Sequence, residues 1–557
     1  MTAVRSVQRN AVVVGQVGAL AVEAGNGVED RYDFVVVGAG SAGCVLANRL
    51  SENPKVQVLL CEAGPPDRAR EIHIPAALTT LFRSDADWAY FTEPQNQLDD
   101  RRVFWPRGKT LGGSSSINAM VWARGMRADY DEWGALAGPD WAYDAVLPYF
   151  RRAEDTRGRR SAHTGRGGPI TVSGQRSPRS LTAAYLAAAA QAGLSRHVVP
   201  NADDQDGVMP TMVTQRRGRR WSAADGYLRP ARRRDNLAVR CDTTVTRVVI
   251  EQARAIGVEY LADGHRTVIR AEREVVLAGG AINSPQLLML SGIGPINQLR
   301  DHGLPVVHNA SEVGQNLRDH LVAALVVDAP GGGTLEEARS VRQLAAYVVF
   351  RRGMLTSNLM EAYGFIRSRP SLAAPDIELL FAPVGMVGEG LVPPRPHAVA
   401  LGAILLRPRS TGRVTLRSAD HADPPTIDPG YLRDPDGADY AALAEGLRMC
   451  MRIAEQPALA GLLGDIVQPA GHDGPDLVDS AIRYYAQTLY HPVGTCRMGS
   501  DPDSVVDPHL RVRGVQALRV VDASVMPQII RGHTHAPTVM VAERAGDLLR
   551  REHRLSV

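Results

Sequence analysis

The first regular pattern in the chain is Phe34 to Val37, a continuous apolar and mostly β-branched run. A run with no polar face suits a strand buried on both sides, as in a parallel sheet. Glycines follow at 38, 40 and 43, and Ala42 to Leu50 reads as a helix. Val56 to Leu60 reads as a second strand, ending at Cys61-Glu62-Ala63-Gly64, and together these make one βαβ unit. The same signature returns far downstream. Arg273 to Gly280 is a buried strand closing on glycines, followed by a helix from Asn283 to Leu290. Leu518 to Asp522 is a last strand, followed by a loop and a helix from Thr538 to Arg550.

The fold class this predicts is α/β, or α+β taken overall. A Rossmann-like dinucleotide domain is assembled from discontinuous segments, beside a substrate-binding domain with an antiparallel sheet and helices. Residues 1–30 form a leader. Residues 31–154 open the nucleotide domain and carry a lid near 68–100, where Trp88, Tyr90 and Phe91 stand among polar residues. Residues 236–319 and 481–557 complete that domain. Residues 155–235 and 320–480, where short strand-like and helix-like patches alternate, form the substrate domain.

Composition removes several classes. The chain is 44% hydrophobic and 22% charged, an ordinary globular balance. Net charge is +3, and the arginine clusters Arg216-Arg217-Gly-Arg219-Arg220 and Arg232-Arg233-Arg234 are local, so no basic domain marks a nucleic-acid partner. Cys44, Cys61, Cys241, Cys450 and Cys496 are scattered without a CxxC pair, which implies neither a disulfide framework nor a zinc site. A reducing compartment follows. No apolar run reaches the roughly 20 residues a spanning helix needs, so no transmembrane segment is expected. At the head, Arg5 and Arg9 precede an apolar stretch from Ala11 to Val22 that loosely resembles a signal peptide. Gly15, Gln16 and Gly18 interrupt it, and the expectation is a flexible leader on a cytoplasmic protein.

Gly38-x-Gly40-x-x-Gly43 lies between a strand and a helix. The first glycine allows the tight turn, the second lets a pyrophosphate approach the backbone, and the third lets helix and strand pack closely. The helix N-terminus offers amide donors and a positive dipole end to phosphate. Glu62 ends the next strand, where a carboxylate can accept ribose hydroxyls and repel a 2′-phosphate. These features do not separate NAD from FAD. Trp105-Pro-Arg107-Gly-Lys-Thr-Leu-Gly112-Gly113-Ser114-Ser115-Ser116-Ile-Asn118-Ala119-Met120 does: this small-residue run can lie flat against an extended cofactor, and a nicotinamide enzyme has no need of it. Near the end, Tyr490-His491-Pro492 and Gly532-His533-Thr534-His535-Ala536-Pro537 supply imidazoles suited to taking a substrate proton near neutral pH. Two histidines two apart also suggest metal ligands, but no carboxylate or cysteine in register completes a set, and no metal is expected.

These blocks resemble the glucose-methanol-choline (GMC) oxidoreductase family. So do Gly280-Ala-Ile-Asn283-Ser284-Pro285-Gln286, the run from His491 to Gly499, and Val521-Asp522-Ala523-Ser524, in the family's order from about residue 32 to 550. The resemblance implies bound FAD and, for most members, oxidation of an alcohol with oxygen or another electron acceptor. It implies that Gly38, Gly40, Ser41, Gly43, Glu62 and Ala63 hold the ADP half, with Val245 bonding the adenine through its backbone. Gly113, Asn118 and Met120 are implied along the flavin, Asp522 and Ala523 at the pyrophosphate and ribityl chain, and Arg107 and Thr538 elsewhere among the cofactor-binding residues. Members that attach flavin covalently can do so through a histidine where this chain has Trp105, so non-covalent FAD is expected.

The catalytic residues implied are His491, as general base, and His535, hydrogen-bonded to the substrate oxygen beside it. His533 is placed against flavin or loop backbone, and Cys496-Arg497 is read as structural. The expected reaction converts a primary or secondary alcohol to aldehyde or ketone by hydride transfer to flavin N5. The alternatives are a dehydrogenase with a non-oxygen acceptor, a lyase with structural FAD, and the light-driven fatty-acid decarboxylase chemistry the same fold hosts. Leu379 to Val387 hints at an apolar pocket, and leaves a plain buried strand equally open. Substrate identity and oligomeric state are not readable from the chain.

Overall fold

The structure, a computed structural model, describes residues 30–556 apart from 159–160, 198–200, 202–204, 263–264 and 473. The expected leader therefore lies outside the described residues, except Asp30.

The chain begins with β1 (Arg31–Val37), α1 (Ser41–Leu50) and β2 (Val58–Cys61). It returns to this layer with β3 (Leu237–Arg240), β4 (Val245–Glu251), β5 (Arg254–Ala262) and β6 (His265–Leu277), then forms α2 (Gly280–Leu290). A second layer follows: β7 (Leu321–Asp328), α3 (Val341–Phe350), β8 (Ala362–Ile366), β9 (Ile377–Ala382), β10 (Ala398–Leu405), α4 (Ala438–Ala454), β11 (Ile466–Gln468) and β12 (Gln487–Thr488). β13 (Leu518–Val520) and α5 (His535–Glu552) finish the chain in the first layer.

The first sheet has the order β3-β2-β1-β6-β5-β4, with β13 paired to β6. β3, β2, β1, β6 and β13 run parallel, whereas β4 and β5 extend the sheet antiparallel. Phe34, Val35 and Val36 are fully buried, as the apolar run requires. Helices α1 and α5 pack together, bringing Ser41 Oγ within 3.0 Å of His535 Nδ1 across 494 residues of sequence. Their N-termini thus meet at the carboxyl ends of the parallel strands, where such sheets bind ligands.

Two helices start earlier than their sequence patterns suggest, at Gly280 instead of Asn283 and at His535 instead of Thr538. In α5, Pro537 sits in the first turn, where its missing N–H has no helical partner to lose. In α2, Pro285 deprives the Ala281 carbonyl of its donor, and Thr495 Oγ replaces it at 2.6 Å.

The second sheet is antiparallel, in the order β8-β9-β10-β7-β11, with β12 also on β7. Side chains alternate across it. Ile377, Leu379, Phe381, Val399, Leu401, Ala403, Leu321, Ala323 and Leu325 belong to the core on one side, which α4 covers. Val322, Leu380, Ala382 and Ala400 face the other way, toward the first layer.

Candidate active site

A cavity of about 590 Å³ runs from the carboxyl ends of the parallel strands to the inward face of the second sheet. Of the cofactor-binding and catalytic residues expected from the sequence, all but Gly43 line it. Gly43 acts one layer behind: a Cβ there would stand 1.9 Å from the Gly38 carbonyl oxygen, so it is the glycine that lets strand and helix close. Gly38 itself has φ +100°.

At the nucleotide end, Glu62 is buried, and its carboxylate accepts the N–H groups of Ala39 at 2.9 Å and Gly64 at 3.0 Å. Burial pushes its pKa up to about 7 against those donors. Ala63, Thr243 and Val245 line the cavity beside it. Further along, a Cβ on Gly113 would come within 2.6 Å of the Gly40 Cα, so two bare backbones form a narrow floor. Asp522 lines the cavity as well. Its carboxylate accepts from the N–H of Gly280 (2.8 Å), Ser284 Oγ (2.6 Å) and the N–H of Ser524 (2.8 Å), which fastens the start of α2. A glycine floor with a carboxylate at one end and imidazoles at the other fits an extended dinucleotide such as FAD.

The imidazole end is built from three chain segments. His491 Nδ1 lies 2.9 Å from His320 Nδ1, and His320 Nε2 lies 3.2 Å from the Leu406 carbonyl. A carbonyl only accepts, so His320 carries its proton on Nε2 and offers a lone pair at Nδ1. Burial, then the nearby His533, depresses the His320 pKa to about 3, so the ring is neutral. His491 must therefore donate its Nδ1–H to His320, which leaves the His491 Nε2 lone pair free. Burial also holds His491 well below the usual histidine range, with His533, His320 and Arg107 adding to the effect. Its backbone N–H donates to Asp319 Oδ1 at 2.7 Å. Asp319 Oδ2 accepts from Tyr431 and Thr488, both at 2.5 Å. Arg107 donates to the Tyr490 carbonyl at 2.7 Å, steadying the same turn.

The two histidines of the closing loop exchange the positions expected of them. The His533 ring, not that of His535, faces His491, with centroids 4.8 Å apart and planes at 81°. Its Nε2 lies 2.9 Å from Glu378 Oε1. His535 turns toward Ser41 and packs edge-on against Trp122, with its Nε2 buried and unpartnered. The reason is the early start of α5: His535 is already helical and points along α1, whereas His533 remains in the loop beneath the second sheet.

His320, Glu378 and Asp319 escaped sequence reading, although each left a trace. Asp319-His320 is a polar pair at the mouth of the apolar strand β7, and Glu378 is the single charge inside the apolar run of β9. The Leu379-to-Val387 run serves both alternatives, since Leu380, Ala382 and Met386 line the cavity while Leu379 and Phe381 face the core. Cys496 is buried with its thiol pushed up, and Arg497 is paired to Asp501 at 2.8 Å. Trp105 is buried in the core beneath the second sheet. Among the described residues, no group of three or more His, Cys, Asp or Glu is arranged to hold a metal ion.

A dinucleotide crevice closed at its far end by facing imidazoles and an apolar sheet defines a flavin-dependent oxidoreductase. The chain belongs to the GMC oxidoreductase family, whose N-terminal model matches residues 32–322 and whose C-terminal model matches 408–542. It is therefore an FAD-dependent enzyme acting on CH–OH groups. It is 54% identical over 529 residues to an uncharacterized GMC-type oxidoreductase of Mycobacterium tuberculosis, covering 94% of this chain and 100% of the relative. It is 41% identical over 535 residues to an alcohol dehydrogenase (acceptor) of Pseudomonas putida, covering 94% and 96%. Among solved structures, pyridoxine 4-oxidase from Mesorbium loti is similar at 31% identity with a TM-score of 0.84, covering 94% of this chain and 100% of that one.

Proposed function

We propose that the protein oxidises an uncharged, apolar alcohol to its aldehyde or ketone, with His491 as the general base. The observation that carries this is the His320–His491 contact, which leaves a neutral imidazole with a free Nε2 lone pair at the cavity. Bound FAD supplies the hydride acceptor. His491 takes the hydroxyl proton as the C–H bond weakens. His533, held through Nε2 by Glu378, orients the substrate oxygen from the opposite side. The histidine expected for that task, His535, instead backs the cofactor floor at Ser41.

The substrate class follows from the sheet above the imidazoles. Val322, Ala324, Leu380, Ala382 and Ala400 present hydrocarbon only, joined by Met360 and Met386. A quaternary ammonium alcohol wants a carboxylate beside its aromatic contacts; Phe82, Trp88, Tyr90 and Tyr490 line the cavity, but Glu378 does not line it and holds His533 through Oε1. Trp105 gives the flavin ring no nucleophile at that position, so FAD is held non-covalently. Similarity to the alcohol dehydrogenase (acceptor) of Pseudomonas putida supports an electron acceptor other than oxygen. Five free thiols suit a cytoplasmic setting.

Anaerobic absorbance of the FAD-loaded protein tests the reading. Aliphatic and benzylic alcohols are expected to bleach the flavin band, and choline and sugars to leave it. Admitting oxygen then separates oxidase from dehydrogenase by the speed of reoxidation. A flavin bleached by choline but by no apolar alcohol overturns the substrate class, and one bleached by no alcohol overturns the reaction.

A further inference from the structure

A surface helix normally turns its apolar stripe inward. Helix α3 does the reverse. Val341, Leu344, Ala345, Val348 and Val349 share one helical face and are exposed, as is Phe350, with Val341 at 84%, Val349 at 67% and Phe350 at 66%. The inward side is anchored by polar groups. The buried Tyr347 donates its hydroxyl to the His73 carbonyl at 3.2 Å, and Gln343 Oε1 accepts the Met354 N–H at 2.9 Å. The helix is capped as well, with Ser340 Oγ accepting from the Gln343 N–H.

Arginines frame the stripe. Arg342 and Arg352 are exposed on or just beyond the helix, with Arg351 between solvent and the Tyr347 ring, 4.9 Å from its centroid. The hairpin carrying the exposed Arg216 and Arg217 abuts the same end, since a Cβ on Gly218 would lie 2.6 Å from the Arg351 carbonyl oxygen. Among the described residues none of these five arginines has a carboxylate in ion-pair reach, and Arg216 rests on the Trp221 ring at 4.7 Å. Of the acids just before the helix, Glu336 is bound to His397 at 2.6 Å, leaving Glu337.

We propose that α3 docks the enzyme on an anionic lipid bilayer, its apolar stripe entering the interface and its arginines meeting the headgroups. Apolar insertion with unneutralised basic side chains at the rim is the chemistry of a helix lying in a membrane surface. A second copy docked stripe to stripe would set five arginines without carboxylate partners against another five. The helix is also joined to one wall of the cavity. His73 leads into the lid turn Pro75–Leu81, whose Leu78 lines the cavity along with Phe82, and Met354 leads into Asn358 and Met360, which line it too. The exposed Leu391 and Val392 extend the apolar rim, next to Phe82 through Gly390. Docking therefore sets this wall of the cavity against the lipid surface, whichever alcohol is oxidised there.

The test is flotation of the FAD-loaded full chain with vesicles of phosphatidylglycerol and phosphatidylcholine, against phosphatidylcholine alone. The native protein is expected to float with the mixed vesicles and to be released by high salt. Leu344→Glu with Val348→Glu is expected to abolish flotation. Arg342→Gln with Arg352→Gln is expected to weaken it about thirtyfold. These side chains are exposed, so flavin absorbance and melting temperature stay native, separating lost docking from lost fold. Native protein that floats with neither vesicle overturns the proposal, as does a Leu344→Glu/Val348→Glu chain that floats like native. A dimer that Val348→Glu splits and vesicles do not displace assigns the stripe to a second copy and overturns it as well.

Discussion

Replacing His320 by leucine isolates the contact on which the His491 assignment rests. In the native protein the His491 Nδ1–H has a fully buried acceptor 2.9 Å away. Leucine fills the space and removes the lone pair. The His491 ring then either buries an unpaired N–H or moves its proton to Nε2, turning a donor toward the substrate where a base is needed. Leaving a buried donor unsatisfied costs about 1–3 kcal/mol, which as a loss of transition-state stabilisation slows the reaction roughly 5- to 150-fold. The assay is anaerobic stopped-flow bleaching of the flavin at saturating alcohol, alongside FAD content. His320→Leu is expected to retain FAD and slow bleaching by that factor, and His320→Asn, which restores an oxygen acceptor, to recover part of the rate. Native-rate bleaching by His320→Leu with FAD intact would refute the tautomer assignment and with it the reason for naming His491 the base.

Glu378→Gln keeps a hydrogen-bond acceptor for His533 but removes the charge, and a drop of about tenfold in kcat/KM is expected, deeper for Glu378→Leu; equal rates in all three proteins would remove Glu378 from the site. Because burial lowers the His491 pKa, the base stays deprotonated as pH falls, so kcat/KM should remain level through pH 6.5 and decline only in stronger acid; a limb at the ordinary histidine value would contradict this. Stability carries the matching sign: His320 and His535, at about 3 and 4 when folded, contribute fully above the unfolded value near 6.5. That contribution is lost as pH falls from 6.5 toward 4, by about 1.4 kcal/mol per histidine per pH unit, which denaturant melts at pH 7 and pH 5 can read. Acid precipitation should leave the FAD in the supernatant, since no side chain suited to attachment stands at Trp105; yellow colour in the pellet would show a covalent link.

What the chain declares by itself is local. Gly43 sits where its backbone must approach that of Gly38, five residues away, so spacing alone reveals the turn, the strand before it and the helix after it, whereas the backbones that crowd Gly38 and Gly40 come from Ala278 and Gly113. Glu62 is legible from its place at the end of the second strand, whereas His491 is legible only through the family resemblance of the run around it. Other decisions were made at a distance. Whether His533 or His535 meets His491 depends on where α5 begins and on Ser41, 494 residues away, which receives His535. Glu378 reaches the site only because β9 presents its even-numbered side chains to the first layer and its odd-numbered ones to α4, and a strand buried on both faces carries no periodicity to say which is which. His320 depends likewise on how β7 and the turn at His491 are brought together. The apolar spacing of α3 is visible in its residues, but that the stripe faces outward is a property of what Tyr347 and Gln343 hold on the other side. Local backbone preference is written between near neighbours, and the facing of a side chain is settled by whichever layer packs against it.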